Sequence, residues 1–359
     1  MNHLRYRDDL ETIQPNEERI AHEIVEHMGH TQLAAAGRHR HAHRDAHAKS
    51  HALLTGTLRV LDNLPDELAQ GAFATAGEHE VVARLSSAPG DIRSDEVPAP
   101  RGFALKILGV EGERMPDHPD STNQDLLMVN FPVLAFGTVA RYQEMLGLLE
   151  SQAERPAAVQ RGVAATARAV EKGVERLGRT PSATLQGLAR DYAHPLGETY
   201  HTQGALRYGD AVAKLSLAPV GAVAELTGRP IEPDFDSNAD AIARHFRDAG
   251  ADYELRVQLC TDLERMPIED AAVLWDPALS PHRTVATLHL PPQDLSSPAR
   301  RVHGDDHLSF SPFNGLAAHR PLGSIMRVRR LAYAQSSDLR HRLNAVAPAE
   351  PMSASDIPA

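Results

Sequence analysis

The chain has a single cysteine, and its longest apolar stretch is short and interrupted. One cysteine among 359 residues excludes an internal disulfide framework. Cys260 ends an alternating, strand-like segment, residues 253–260, so we expect it to be a core thiol and not an axial metal ligand. The apolar stretch 126–136 is broken by Asn130 and Pro132, and no apolar run opens the chain. We therefore expect a soluble, cytoplasmic protein with no membrane partner.

The chain also has fewer basic than acidic residues. Lys and Arg number 37 against 48 Asp and Glu, which gives a formal net charge of −11 at pH 7 and a pI near 6.0. The basic residues are scattered along the chain, and a net negative protein repels a phosphate backbone. We expect no nucleic-acid partner.

Hydrophobic periodicity predicts a β-rich body with separate helices. Residues 1–36 carry apolar side chains at helical spacing and predict an N-terminal helical arm. Alternating runs with high strand propensity predict strands at residues 53–61, 81–85, 102–110, 126–134, 211–217, 253–260 and 284–290. Strands that are grouped apart from the helices, without a βαβ alternation, predict an α+β fold.

The composition and a change in the hydrophobic period predict the remaining domain boundaries. The spacing becomes helical over about residues 137–195, which predicts a helical insertion within a main domain of residues 37–345. A further helix is predicted over 240–249. Residues 346–359 are rich in Pro, Ala and Ser and predict a disordered tail.

Arg329 and Tyr333 are spaced to lie on one face of a helix. A guanidinium group held there can keep the phenol in its anionic form, which is a hard ligand suited to ferric iron. Pro321 and Gly323 would let a new helix start near Ile325. An arginine-supported tyrosinate indicates haem ligation. The alternative is a surface arginine beside a half-buried tyrosine, because this spacing also occurs by chance in many helices.

Four other segments match motifs of one family in order along the chain. They are RDAHAKS at 44–50, VARLSS at 82–87, PRGFALK at 100–106 and DLLMVNFPV at 125–133. Together with the Arg329–Tyr333 pair, they make the chain resemble the haem catalases, specifically the short, minimal-core haem peroxidase type. The resemblance implies an antiparallel eight-stranded β-barrel with flanking α-helices, and haem b (iron protoporphyrin IX) as cofactor.

The resemblance also assigns roles to individual residues. His47 is the acid/base that moves the peroxide proton, and Ser86 hydrogen-bonds the ring nitrogen of His47 that faces away from the iron. The haem contacts fall on Arg44, Arg84, Arg329 and Tyr333. Tyr333 is the axial iron ligand, and the arginines hold either the propionates or the axial tyrosine.

For the segment at 44–50 and the histidines around it, the alternative interpretation is a metal-ion site. His39, His41, His43, His47 and His51 fall within thirteen residues, and alternate histidines can bind zinc, nickel or copper. Only His47 combines an arginine three positions before it, Arg44, with Ala-Lys directly after it. The family match therefore selects His47 from the five histidines.

The sequence differs from the family motif mainly at the asparagine whose side-chain amide binds the peroxide. An ungapped count from the DLLMVNFPV segment puts Val129 at the position of the peroxide-binding asparagine, with Asn130 next to it. Either the turn is shifted so that Asn130 reaches the iron, which we favour, or the pocket lacks the amide. Phe136 and Tyr142 are alternatives for the aromatic residue near the haem.

The predicted function is a haem-dependent oxidoreductase acting on hydrogen peroxide or organic hydroperoxides, with a small-molecule reductant. The catalytic candidates are His47, Asn130 and Ser86. Two alternatives stay open: a hydroperoxide-rearranging enzyme of the allene oxide synthase type, and a non-catalytic haem- or metal-binding protein that uses the His-rich segment. We expect a homodimer.

Overall fold

The computed structural model describes residues 3–145 and 192–359. Its helices are α1 (Glu17–His39), α2 (Ser237–Asp248), α3 (Pro298–Val302) and α4 (Ser324–Asn344). Its strands are β1 (Ser50–Val60), β2 (Gly77–Ser87), β3 (Arg101–Ile107), β4 (Gln124–Val129), β5 (Tyr200–His201), β6 (Leu206–Tyr208), β7 (Ala211–Val220), β8 (Ala251–Leu259) and β9 (Arg283–Leu290). Residues 139–145 are helical.

Eight of these strands close into an antiparallel barrel. The hydrogen-bonded order is β5-β4-β3-β2-β1-β9-β8-β7, and pairing between β5 and β7 completes the ring. Strand β6 pairs with residues 211–213 of β7, the part of β7 that precedes its pairing with β5. The predicted α+β class and the eight-stranded barrel are therefore confirmed.

Alternation along the strands separates an apolar barrel interior from an outer face. On β3, Phe103 and Leu105 belong to the main hydrophobic cluster, and Phe103 packs against Tyr200 and Tyr253 with ring centroids 5.3 and 5.6 Å apart. Successive side chains of a strand point to opposite faces. Gly102, Ala104 and Lys106 of the same strand therefore lie on the outer face, where helices and loops cover them.

Helices α1 and α4 pack together beside the barrel. Ile24 and Val25 of α1 share a hydrophobic cluster with Val328 and Ala332 of α4. Helix α4 begins directly after Gly323, whose φ of 95° favours glycine, and a Cβ there would lie 2.3 Å from the carbonyl oxygen of Ile268. The helix start predicted near residue 325 is thus one residue from the observed one.

The C-terminal segment is packed against the barrel and is not disordered as its composition predicted. Ile357 is buried in a hydrophobic cluster with Leu308, and Glu350 forms an ion pair with the fully buried Lys106, with Nζ and Oε1 2.9 Å apart. The composition argument failed because a few anchoring side chains suffice to order a Pro-rich segment. The division into domains stays a prediction.

Most of the predicted helical insertion, residues 146–191, lies outside the described residues. The predicted strand 126–134 is shorter than expected, because β4 ends at Val129. Cys260 is buried, as predicted. In the described ranges, no helix has the length and apolar character that crossing a membrane requires.

Candidate active site

His47 and Ser86 form a hydrogen-bonded pair in a cavity on the outer face of β2, β3 and β4. Nδ1 of His47 lies 3.0 Å from Oγ of Ser86, which is the contact expected from the resemblance. The φ of His47 is 56°, in the left-handed region that is costly for a residue other than glycine. Its N–H donates to the carbonyl of Ala88 at 2.9 Å, which helps to hold this conformation.

Gly102 allows the imidazole to approach the sheet. A Cβ at this position would lie 2.5 Å from Nδ1 and Cε1 of His47 and 3.0 Å from Oγ of Ser86. Real Cβ atoms do not approach ring atoms so closely, and the ring is fixed by its hydrogen bond. Glycine at 102 is therefore required for the His47–Ser86 pair to sit against β3.

The environment of His47 keeps its imidazole neutral. Burial, followed by the positive charges of Arg84, Arg329 and Arg44, lowers the pKa of His47 to about 3. Near pH 7 the ring therefore carries one proton and has one nitrogen lone pair free. A neutral imidazole in a buried cavity can take up a proton from a bound substrate.

Helix α4 presents one stripe of side chains to the same cavity: Arg329, Tyr333, Ser336 and Arg340. The intervals of four, three and four residues put them on one face of the helix. Nη2 of Arg329 donates to the hydroxyl oxygen of Tyr333 at 2.9 Å. The guanidinium carbon of Arg329 also lies 5.2 Å from the centre of the Tyr333 ring. The predicted pair is thus formed and faces the cavity that contains His47.

Two buried arginines, Arg84 and Arg340, and the half-buried Arg44 form what we call the arginine cluster. Backbone carbonyls hold two of them: Nη2 of Arg44 donates to Gly304 at 2.8 Å and to Leu308 at 2.7 Å. Nη2 of Arg340 also donates to Leu308, at 2.9 Å. The turn that supplies these carbonyls is π-helical, a geometry often found at functional sites.

Positive charge exceeds negative charge in the arginine cluster. Arg44 and Arg84 both pair with Asp305, at 3.6 and 3.2 Å. Within residues 3–145 and 192–359, no ion pair joins a carboxylate to Arg340 or Arg329, and Nε of Arg84 and Nε of Arg340 are buried without a hydrogen-bond partner. Surplus charge and unused donors in a buried site fit an anionic ligand with more than one negative charge.

The structure does not bring Asn130 into the cavity. Its Oδ1 accepts from the N–H of Arg101 at 2.8 Å, and its Nδ2 donates to Glu198 at 2.9 Å. Val129, the last residue of β4, lines the cavity instead, opposite Gly102 in the strand pairing. Asn130 thus connects the end of β4 to the start of β3, and its role as the distal amide stays a prediction.

Sequence reasoning missed two charged residues of the cavity wall. Arg340 lines it together with Asp45, whose pKa is raised to about 6 by burial. Helical spacing contained the signal for Arg340, since it lies seven residues after Tyr333 on the same face. No comparable signal marked Asp45, which sits in the irregular segment before His47.

His39 and His41 of the His-rich segment do not line the cavity and pair with carboxylates instead. Nε2 of His39 lies 2.5 Å from Asp91, and Nε2 of His41 lies 2.7 Å from Asp306. The part of the chain that the structure describes contains no group of three or more His, Cys, Asp or Glu side chains arranged to hold a metal ion. The metal-ion alternative thus gains no support from these contacts.

The fold is similar to that of solved catalases. A fungal catalase is 15% identical, with a TM-score of 0.58 over 90% of this chain and 67% of that chain. Catalase A from Saccharomyces cerevisiae is 14% identical, with a TM-score of 0.58 over 95% of this chain and 70% of that chain. A bacterial catalase is 12% identical, with a TM-score of 0.57 over 95% of this chain and 64% of that chain.

These matches extend over nearly all of this chain and about two thirds of each catalase. The sequence matches no protein-family model and no curated protein. At such low sequence identity, structural similarity is evidence for the fold and not for the reaction. The chain therefore has the fold of the catalases.

Proposed function

We propose that the protein is a haem-dependent oxidoreductase that reduces hydrogen peroxide or organic hydroperoxides with electrons from a small-molecule reductant. One observation carries the proposal: the His47–Ser86 pair and the Arg329–Tyr333 pair face a single buried cavity. The first pair supplies a neutral base. The second supplies a phenol held by a guanidinium group, the donor suited to ferric iron.

The residues of the cavity fit a haem. Tyr333 would bind the haem iron through its phenol oxygen, to which Nη2 of Arg329 donates at 2.9 Å. The arginine cluster would bind the two propionates, for which its surplus charge and its unpartnered Nε atoms are suited. Haem iron, when bound, supplies the redox chemistry that cleaves the O–O bond of a hydroperoxide.

The proton chemistry belongs to His47. With Oγ of Ser86 accepting the Nδ1 proton, Nε2 of His47 is free to take the proton of the incoming hydroperoxide and to return it to the leaving oxygen. The low pKa of His47, about 3, keeps Nε2 unprotonated across the physiological pH range. Ser86 acts by fixing the tautomer and the ring orientation.

The wall at Val129 favours peroxidase activity over peroxide dismutation. A valine cannot hydrogen-bond a second small peroxide and orient it, whereas Val129 and Leu127 offer an apolar surface to the organic part of a larger hydroperoxide. We therefore assign the distal position to Val129 and not to Asn130. The preferred substrate class is an organic hydroperoxide with an apolar tail.

Spectroscopy and product analysis test the proposal on the purified protein. We expect a Soret band in the wild type, its loss or shift in Tyr333→Phe, and faster oxidation of a dye with cumene hydroperoxide than oxygen evolution from hydrogen peroxide. A protein that takes up no haem would overturn the proposal. Consumption of hydroperoxide without oxidation of the reductant would instead indicate the rearranging activity.

A further inference from the structure

Two histidines bound the π-helical turn that follows α3. His303 and His307 are its first and last residues, and their ring centroids lie 5.8 Å apart, with planes 24° from parallel. Residues four apart in a helical turn lie on one face. Both rings line a surface cavity that shares no lining residue with the cavity of His47. The pair is therefore a separate feature of the molecule.

One nitrogen of each ring is open to a ligand. Nδ1 of His307 lies 3.0 Å from the carbonyl oxygen of Ala347, so Nδ1 donates its proton there and Nε2 keeps the lone pair. Nε2 of His303 is buried and has no hydrogen-bond partner among residues 3–145 and 192–359. A buried nitrogen left in this way calls for an explanation. A backbone carbonyl that fixes the tautomer is a common second contact of a metal-binding histidine.

The walls around the two rings are apolar and firmly placed. Pro298, Ala299, Val302 and Pro358 line the cavity beside them, so that the two histidines alone carry polar side-chain atoms among these described lining residues. Nε of Arg300 donates to the carbonyl of Pro358 at 2.9 Å, which joins α3 to the C-terminal segment. A ligand of this cavity would therefore be held by the two ring nitrogens.

We propose that His303 and His307 bind one divalent transition-metal ion, such as Cu²⁺ or Zn²⁺, through their Nε2 atoms. Imidazole nitrogen suits these ions. Two imidazoles on one ion, with metal–nitrogen distances of about 2.0–2.1 Å, place their ring centres roughly 5–6 Å apart, which matches the observed separation. In the described ranges no third His, Cys, Asp or Glu joins the pair, so water completes the coordination.

A bound ion would connect the two ends of the turn. The carbonyls of Gly304 and Asp305, which lie between the histidines, accept from Arg44 at 2.8 and 3.2 Å, and Asp305 also accepts from Nη1 of Arg340 at 2.6 Å. The ion therefore fastens the backbone that orients two members of the arginine cluster. A ligand that binds only the folded turn also stabilises the folded protein.

Electron paramagnetic resonance of added Cu²⁺ tests the site. One equivalent of copper is mixed with the purified protein, and the number of coordinated nitrogens is read from the hyperfine structure of the signal. We expect one copper per chain with two imidazole nitrogens in the wild type. His303→Phe keeps a ring in the stack but removes its nitrogens, and His303→Gln removes the ring. In both variants the two-nitrogen signal should be lost.

The double variant His39→Ala/His41→Ala is the matched control. It removes two histidines that pair with carboxylates elsewhere, and it should keep the full two-nitrogen signal. Zn²⁺ at a hundredfold excess over its Kd should raise the melting temperature of the wild type and of this control by about 3–5 °C. The melting temperature of the His303 variant should not respond to Zn²⁺. Of the two His303 variants, the one that melts like the wild type without metal is used.

Three outcomes would overturn the metal site: a wild-type spectrum with fewer than two coordinated nitrogens, an unchanged two-nitrogen signal in the His303 variant, or its loss in the control. Copper binding as expected, but without a rise in melting temperature on adding Zn²⁺, would overturn the fastening of the turn. None of these measurements depends on haem. Failure of the proposed function is therefore separate, since it appears as a missing Soret band.

Discussion

Two buried charge clusters on the outer face of the barrel are balanced in opposite ways. In the first, Nζ of Lys106 lies 2.8 Å from Asp125 and 2.9 Å from Glu350, so one cation meets two carboxylates. We call these three residues the lysine cluster. In the arginine cluster, Arg44 and Arg84 share the carboxylate of Asp305, and among the described residues Arg340 pairs with no carboxylate. Strand β3 connects the two regions, since Ala104 lines the cavity and Lys106 follows two residues later.

The difference separates a structural cluster from a ligand site. Taking charges out of water is costly, and in the lysine cluster every charged group faces an opposite charge of the chain itself. Burial raises the pKa of Asp125 to about 6 even though Lys106 opposes the shift. The arginine cluster leaves positive charge and buried donors uncompensated, which is stable only where the cavity admits water or an anion. The comparison therefore supports the proposed ligand site on grounds that do not depend on any family resemblance.

Removal of the lysine should have the largest effect on stability. Lys106→Met leaves Asp125 and Glu350 buried or half-buried without a cation, and breaking a buried pair in this way costs about 3–5 kcal/mol. We expect this loss in the free energy of unfolding from urea titration. Glu350→Gln is the control, because it leaves one cation and one carboxylate and should cost about 1 kcal/mol. Equal losses in the two variants would contradict the prediction, because they would mean that the unpaired carboxylates left in Lys106→Met cost nothing extra.

His47 tests the chemical side of the comparison. His47→Ala should keep the haem but slow the reaction with hydroperoxide by roughly 10²-fold, the usual contribution of a positioned acid/base. Stopped-flow absorbance of the Soret band measures this rate. His39→Ala and His41→Ala should change it little, because those rings pair with carboxylates outside the cavity. A similar loss in all three would mean that the His-rich segment works as a unit.

Arg84→Met should show the opposite pattern to Lys106→Met. In the haem-free protein it removes a surplus cation, and Asp305 keeps its pairing with Arg44, so the free energy of unfolding should change by less than about 1 kcal/mol. Haem affinity should fall about 10- to 100-fold, since a hydrogen bond to a charged group contributes about 1.5–3 kcal/mol. Fluorescence quenching of Trp275 on haem titration measures the affinity. A large loss of stability with unchanged haem binding would remove the distinction between the clusters.

The sequence predicted the parts of the site that depend on local spacing. Arg329 and Tyr333 face one cavity because four residues make about one helical turn, and the barrel followed from alternating strands and the family motifs. The lysine cluster was not predictable, because Glu350 reaches Lys106 over a separation of 244 residues. The C-terminal segment that contains Glu350 is rich in Pro, Ala and Ser, and this composition is typical of a disordered tail.

The choice between Val129 and Asn130 could not be made from the sequence for a similar reason. A one-residue uncertainty in register decides which of two adjacent residues faces the cavity, because side chains alternate between the faces of a strand. The sequence motif places Val129 and Asn130 side by side but does not show where β4 ends. The hydrogen bonds of Asn130 to Arg101 and Glu198 settle its orientation only in three dimensions.

The smallest effects are expected at this pair of residues. Val129→Asn adds an amide to the cavity wall, and a hydrogen bond of about 0.5–1.5 kcal/mol should raise oxygen evolution from hydrogen peroxide by roughly tenfold or less. The same variant should lose part of its activity with cumene hydroperoxide, because the apolar wall becomes polar. Asn130→Ala should leave both activities nearly unchanged and lower the free energy of unfolding by about 1–2 kcal/mol, through the lost bonds to β3 and Glu198. Oxygen-electrode and dye-oxidation rates for the two variants decide the assignment: if Asn130→Ala abolishes turnover while Val129→Asn is silent, Asn130 is the working amide and the cavity wall at Val129 is not the distal position.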